Sequence, residues 1–148
     1  MKQKFLFFVL VYCLLTLIAV SSERNYDSEI MQPVSDTTRK VLKDGTIVIN
    51  TTGLGKDIQG FAGTTPLEIY IKNGVVDSVK ALRNQETPGY MRKASKILNS
   101  WNGKTIDQAY KLEVDAVTGA TFSSNAIKSN VKVGLDYAKK NKKFFIKK

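Results

Sequence analysis

The sequence predicts an α+β domain: a small antiparallel sheet with helices packed on it, closed by a C-terminal helix. Three stretches carry that expectation. Leu67, Ile69 and Ile71 alternate with Glu68, Tyr70 and Lys72, the period of a half-buried strand. Asn73-Gly74 follows, a pair that tolerates positive φ and suits the type I′ turn of a hairpin, and Val75, Val76, Val79 and Leu82 continue the return strand. Far downstream, Ile127, Val131, Gly134/Leu135 and Ala138 recur at helical spacing, which predicts a helix running to about Asn141.

Taken from the start, 148 residues leave room for one domain of ordinary size. Lys2 and Lys4 precede an uncharged run from Phe5 to Val20, and Ala19-Val20-Ser21 offers small residues at a cleavage spacing. Residues 1–21 therefore have the layout of a secretory signal peptide, and export to the periplasm or cell envelope is expected. The run is shorter than the ~20 residues that usually span a bilayer, so a retained membrane anchor is the second choice. Residues 22–44 read as a polar linker with Pro33 in its middle. Order is expected to begin with Thr46-Ile47-Val48-Ile49, after the turn pair Asp44-Gly45. The domain then extends over 45–141 and a basic tail over 142–148.

The composition excludes several chemistries. The only cysteine, Cys13, lies inside the apolar run, behind Val11-Tyr12 rather than the small residues of a lipoprotein site, and there is no histidine. A chain starting near Ser22 can build no disulfide framework, no cysteine-ligated iron–sulfur cluster, no thiolate zinc site and no Cys–His nucleophile. A Ser-His-Asp arrangement is excluded too. No catalytic residue and no metal site is assigned. Redox chemistry in this chain requires an organic cofactor.

Gly53-Leu54-Gly55-Lys56 and Gly60-Phe61-Ala62-Gly63 are dense in glycine. A phosphate loop would need Gly-Lys-Ser/Thr, and a dinucleotide fingerprint would need a strand before and a helix after. A strand follows instead, so binding of a nucleoside triphosphate is not expected. After the hairpin, Pro88-Gly89 fits the centre of a type II turn. Met91, Ala94, Ile97/Leu98 and Trp101 mark an amphipathic helix ending near Asn102-Gly103. Thr105 can cap a short turn holding Ile106, Ala109 and Tyr110, and Trp101 and Tyr110 read as core. Leu112 and Val114 suggest a brief strand that delivers Asp115 to the turn Ala116-Val117-Thr118-Gly119-Ala120-Thr121. As pattern alone this is a capped helix after a tight glycine turn, with Ser123 or Ser124 as N-cap. A hydroxyl just before a helix start lies where backbone N–H groups point outward and the dipole is positive, a corner suited to phosphate.

Asp115-Ala116-Val117-Thr118-Gly119-Ala120-Thr121 resembles the attachment motif of the FMN-binding domain family, found in flavin-carrying subunits of membrane NADH:quinone and ferredoxin redox pumps. Glu86-Thr87-Pro88-Gly89 resembles the family's second signature, at its place after the hairpin, and Gly60 to Gly63 resembles its Gly-aromatic-x-Gly segment. The match extends over roughly Gly60 to Ala138. The resemblance implies an electron carrier with FMN held as a phosphoester on Thr121. It implies Thr118, Gly119 and Ala120 as the tight approach and Asp115 as the acidic lead residue. Glu86, Thr87, Pro88 and Gly89 become ring-side contacts. Phosphate contacts are expected from backbone N–H groups around Phe122, Ser123, Ser124 and Asn125, with Lys128 one turn on. The family usually continues its second signature with Leu-Gly, where this chain has Tyr90-Met91.

A threonine hydroxyl is a weak nucleophile, and no histidine or lysine base is legible beside Thr121. Attachment therefore calls for a separate enzyme, and the resemblance implies the magnesium-dependent flavin transferase that uses FAD as donor. Asp115 would present the acceptor or engage that enzyme's metal. The expected electron partner is a membrane or envelope redox protein, and no nucleic acid is expected. The tail from Lys139 to Lys148 interleaves lysines with Phe144-Phe145 and contributes much of the formal charge of +10. It reads either as attracted to anionic lipid or as a solvated end with a small hydrophobic plug. The rival functional reading is a redox-inactive exported module that binds membranes or polyanions through this tail. A flavin reductase with its own reductant site is a third.

Overall fold

The computed structural model describes residues 37–146. The expected signal peptide, Cys13, most of the linker and Lys147-Lys148 lie outside them. Four strands pair antiparallel in sequence order: β1 (Arg39–Val41), β2 (Ile47–Asn50), β3 (Leu67–Lys72) and β4 (Val75–Ala81). Three α-helices follow, α1 (Pro88–Ala94), α2 (Ile106–Lys111) and α3 (Thr121–Lys140). The architecture is α+β.

The hairpin forms as its sequence dictates. Asn73 and Gly74 both take positive φ, 50° and 78°, which matches the strand twist of a two-residue turn. Leu67, Ile69 and Ile71 point to one face and are fully buried. On β4 the buried residues are Val76 and Val79, three apart, because the register shifts between Tyr70/Ser78 and Ile71/Val76 and Asp77 becomes an extra residue. That bulge turns both valines to the same face as the β3 isoleucines.

The apolar stripe of α3, Ile127, Val131, Leu135 and Ala138, joins that sheet face in one hydrophobic core. Gly134 permits the close approach: a Cβ there would stand 2.5 Å from Ile69 Cδ1 and 3.2 Å from Thr51 Cγ2. Each aliphatic side chain fully buried in this layer contributes about 1.5–3 kcal/mol. A polar bolt crosses it as well. Leu67 N donates to Thr51 Oγ1 (2.9 Å), Thr51 Oγ1 donates to Asn130 Oδ1 (2.9 Å), and Asn130 Nδ2 donates to Ala126 O (3.0 Å). Asn130→Ala is expected to lower the urea midpoint by a stability loss of about 1–3 kcal/mol, since the buried Thr51 hydroxyl is left with no acceptor for its proton. An unchanged midpoint would contradict that role.

The structure departs from the sequence expectations at four places. Within the expected linker, Arg39–Val41 forms a strand paired with β2, Arg39 opposite Ile49. It lacks an alternating pattern because it is a charged sheet edge. Its turn to β2 is locked by Asp44, whose carboxylate accepts from Thr46 N and Thr46 Oγ1 and pairs with Lys72; these contacts lower its pKa to about 2.

Pro88-Gly89 is not a type II turn. Pro88 is the first residue of α1, where its missing N–H costs nothing, and the Thr87 carbonyl accepts from Tyr90 N and Met91 N. The amphipathic run after it changes from α to 3₁₀ geometry over Ser95–Trp101. At the junction Ser95 Oγ donates to Met91 O (2.7 Å), the back-bond that bends helices.

Leu112 and Val114 form no strand; they lie half-buried over the core in an irregular segment, so their alternation is satisfied without a ladder. The fourth departure is the start of α3, described with the site. Two other expectations hold. Thr105 caps α2 in a reciprocal box with Gln108, and Trp101 is buried in the core with Tyr110 packed half-buried against it.

Candidate functional site

Gly119 takes φ +75°, and Ala120 N donates back to Val117 O (2.9 Å), which makes a tight turn ahead of α3. The helix then begins at Thr121, with Ala120 as N-cap and no side-chain cap. Neither Ser123 nor Ser124 caps it. Both sit inside the first turn, fully buried, because their hydroxyls are used elsewhere. Ser124 Oγ accepts from Val117 N (3.1 Å), closing the turn from behind, and Ser123 Oγ donates to Glu86 Oε2.

This leaves the first-turn N–H groups of a 20-residue helix without a side-chain cap, and no acidic residue lies in that turn to compete for them. Thr121 and Phe122 are exposed on it, as are Thr118 and Asp115 ahead of it. The Lys93 ammonium lies alongside the turn, 3.5 Å from where a Cβ on Gly119 would stand. The corner is thus electropositive through fixed dipoles and one mobile cation.

A cleft of about 280 Å³ opens over the turn. Its lining is Gly119, Ala120, Thr121, Phe122 and Ser123 on one side, with Phe61 and Tyr90 on the other. Phe61 and Tyr90 meet edge to face, ring centroids 4.8 Å apart at 71°. Phe61 is 56% exposed and Phe122 68%, an unusual concentration of bare aromatic surface around one corner. The site fits a ligand with a flat apolar portion and an anionic end.

Glu86 lies behind the wall of this cleft rather than on it. Its buried carboxylate takes the Ser123 hydroxyl on one oxygen and Ala62 N (3.2 Å) on the other. It therefore ties the loop that carries Phe61 to the first turn of α3. Gly60 makes room for it, since a Cβ there would overlap Glu86 Oε1. Thr65 Oγ1, buried and without a hydrogen-bond partner, borders the same space, 3.0 Å from that Cβ position. Thr87, Pro88 and Gly89 serve as the cap and first turn of α1, and that start carries Tyr90 to the cleft.

Of the residues named from sequence, Gly119, Ala120, Thr121, Phe122 and Ser123 meet at the cleft. Phe61, Tyr90 and Lys93 belong with them. An exposed aromatic beside glycines was the available signal for Phe61; nothing in the spacing marks Lys93. Lys128 is elsewhere, on a depression of about 220 Å³ with Trp101, Tyr110 and Lys132. Among the described residues no cluster of His, Cys, Asp and Glu could hold a metal ion, and no helix is long and apolar enough to cross a membrane.

A sequence model described as the FMN-binding domain matches residues 60–136, just over half of the chain. No curated protein and no solved structure matches the chain.

Proposed function

The chain belongs to the FMN-binding domain family, a flavin-binding electron-transfer module, and on that premise we propose that it carries FMN covalently on Thr121. The single observation behind the assignment is the position of that hydroxyl. Thr121 is exposed at the first residue of α3, on the cleft, beside N–H groups that no side chain caps.

The residues fit the group. First-turn N–H groups of α3 would meet its phosphate, with Lys93 supplying countercharge. Phe61, Tyr90 and Phe122 would flank its ring system, and Tyr90 takes the place of the family's usual leucine. When bound, FMN supplies the electron transfer that none of the side chains can perform.

Attachment is chemically complete with FAD as donor. The Thr121 oxygen forms a bond to the flavin-side phosphorus, the bond from that phosphorus to the bridging pyrophosphate oxygen breaks, AMP departs, and the hydroxyl proton passes to solvent. Thr121 has no base of its own, so a separate magnesium-dependent transferase performs this step. Asp115, exposed six residues before the acceptor, is available to that enzyme.

Export fits the same reading. Outside the cytoplasm a dissociable flavin would be lost, whereas an ester holds it and leaves the ring free to meet a membrane or envelope redox partner. Intact mass and in-gel fluorescence after denaturation, from cells with and without the transferase, test the proposal. One flavin per chain is expected only with the transferase; a mass equal to the bare polypeptide in both would reject it.

A further inference from the structure

The far end of α3 carries a surface that the flavin site does not use. After Lys140 the chain turns through Lys142–Phe144, and Phe145 plugs into the core at 2% exposure. That plug holds its neighbours in place on the outside: Phe144 is 42% and Ile146 53% exposed. Ile146 lies against the hairpin turn, its Cγ1 3.3 Å from a Cβ position on Gly74. Val41 on edge strand β1 is 58% exposed. Arg39, on the same face of that strand, stacks its guanidinium 3.9 Å above the Phe144 ring, and Lys143 Nζ lies 5.0 Å from the same ring.

All of these but Ile146 border one open depression of about 500 Å³, lined by Arg39, Val41, Asp44, Lys72, Lys143 and Phe144 among others. Among the described residues that line it the one carboxylate, Asp44, is already paired with Lys72 at 3.1 Å. Among the described residues, Arg39 and Lys143 have no such acidic partner on this face. Exposed apolar side chains held in a frame of unneutralised cations match a single surface chemistry, the headgroup and upper acyl region of an anionic bilayer.

We propose that the β1 edge and the 142–146 segment together dock the domain onto anionic lipid. Phe144, Ile146 and Val41 enter the interface while Arg39 and Lys143 meet the phosphates. The placement also sets an orientation. Thr121 starts the 20-residue α3 and the docking face follows its end, so the cleft lies at the opposite end of that helix, about 30 Å along its axis. The Thr121 corner then faces partners in the aqueous phase.

The test uses the full flavin-loaded chain with Cys13→Ser, spin-labelled at Ile146→Cys or, separately, at Asn125→Cys, an exposed position near the start of α3 that does not line the cleft. Oxygen and a water-soluble nickel chelate serve as collision probes. The apolar N-terminal run can tether the chain to any vesicle, so the lipid dependence of each label is what decides. On vesicles containing phosphatidylserine, the label at 146 is expected to gain oxygen and lose nickel collisions, and the label at 125 is expected to stay in water. On pure phosphatidylcholine both stay in water. Lys143→Gln lowers the fraction docked at 146 by a partition change of about five-fold, and added salt weakens docking in the same direction. A label at 146 that stays aqueous on anionic vesicles overturns the proposal, as does equal immersion on neutral ones or immersion at 125 instead. Flavin load is read separately by mass, so failure here leaves the Thr121 assignment standing.

Discussion

Thr121→Ala is expected to abolish covalent flavin entirely, with no fluorescent band after denaturation and a chain mass equal to its amino acids. Thr121→Ser is expected to keep the band, because it preserves the attacking oxygen. The all-or-none size of the effect follows from the neighbouring hydroxyls. Ser123 and Ser124 are fully buried, one bonded to Glu86 and the other to Val117 N, so neither can present an oxygen to an outside enzyme. Thr118 is exposed in the same turn but lies before the positive-φ Gly119 and does not line the cleft. Thr121 itself is an exposed first-turn residue with no capping bond to lose, so its removal should change stability by less than about 0.5 kcal/mol. An unchanged urea midpoint would establish that the lost flavin is not lost folding. Flavin retained on the alanine variant would move the attachment point to another hydroxyl, with Thr118 the first to examine.

The second large effect concerns Glu86. Its carboxylate joins three segments distant in sequence: the Gly60 loop, the start of α1 and the first turn of α3. Glu86→Ala leaves the Ser123 hydroxyl and the Ala62 N–H without their acceptor, each at a cost of about 1–3 kcal/mol when water cannot replace it. A total near 3 kcal/mol is expected by urea denaturation. The loss should also appear as poorer flavin loading, because Phe61 is no longer tied to the acceptor turn. Glu86→Gln keeps one acceptor oxygen and the side-chain shape and should fall between. Gly60→Ala reaches the same contact from the opposite direction, since the added methyl occupies the place of Glu86 Oε1. It should reproduce the alanine phenotype with the carboxylate still present. Glu86→Ala with wild-type stability and wild-type loading would remove the carboxylate from this coupling role.

How much of this was legible in advance depended on the range of the interaction concerned. The hairpin was readable because alternation and Asn73-Gly74 are both local, and the bulge at Asp77 only redistributed its valines. Strand β1 was hidden because a charged edge strand, paired on one side alone, needs no apolar period. The serines of α3 resemble caps in the sequence for a related reason. A serine before a helical pattern offers its oxygen to the nearest N–H unless something remote takes it. Glu86, 37 residues earlier, took Ser123, and the helix began at Thr121 instead.

The sequence by itself determined the chemistry available: no histidine, one cysteine in a leader-like run, two flavin-family signatures in order after an oily hairpin, and hence redox chemistry only through an organic cofactor. Local pattern and residue type suffice for that, because they reflect short-range geometry and the inventory of reactive groups. Only the tertiary structure decided which hydroxyl is presented and which are consumed. It also showed that Glu86 stands behind the cleft, and that Phe61, Tyr90 and Lys93 share the corner with Thr121. Those placements depend on long-range closure of the Gly60 loop, α1 and α3 against one sheet. Spacing along a chain carries no record of which distant partner a buried polar group will find.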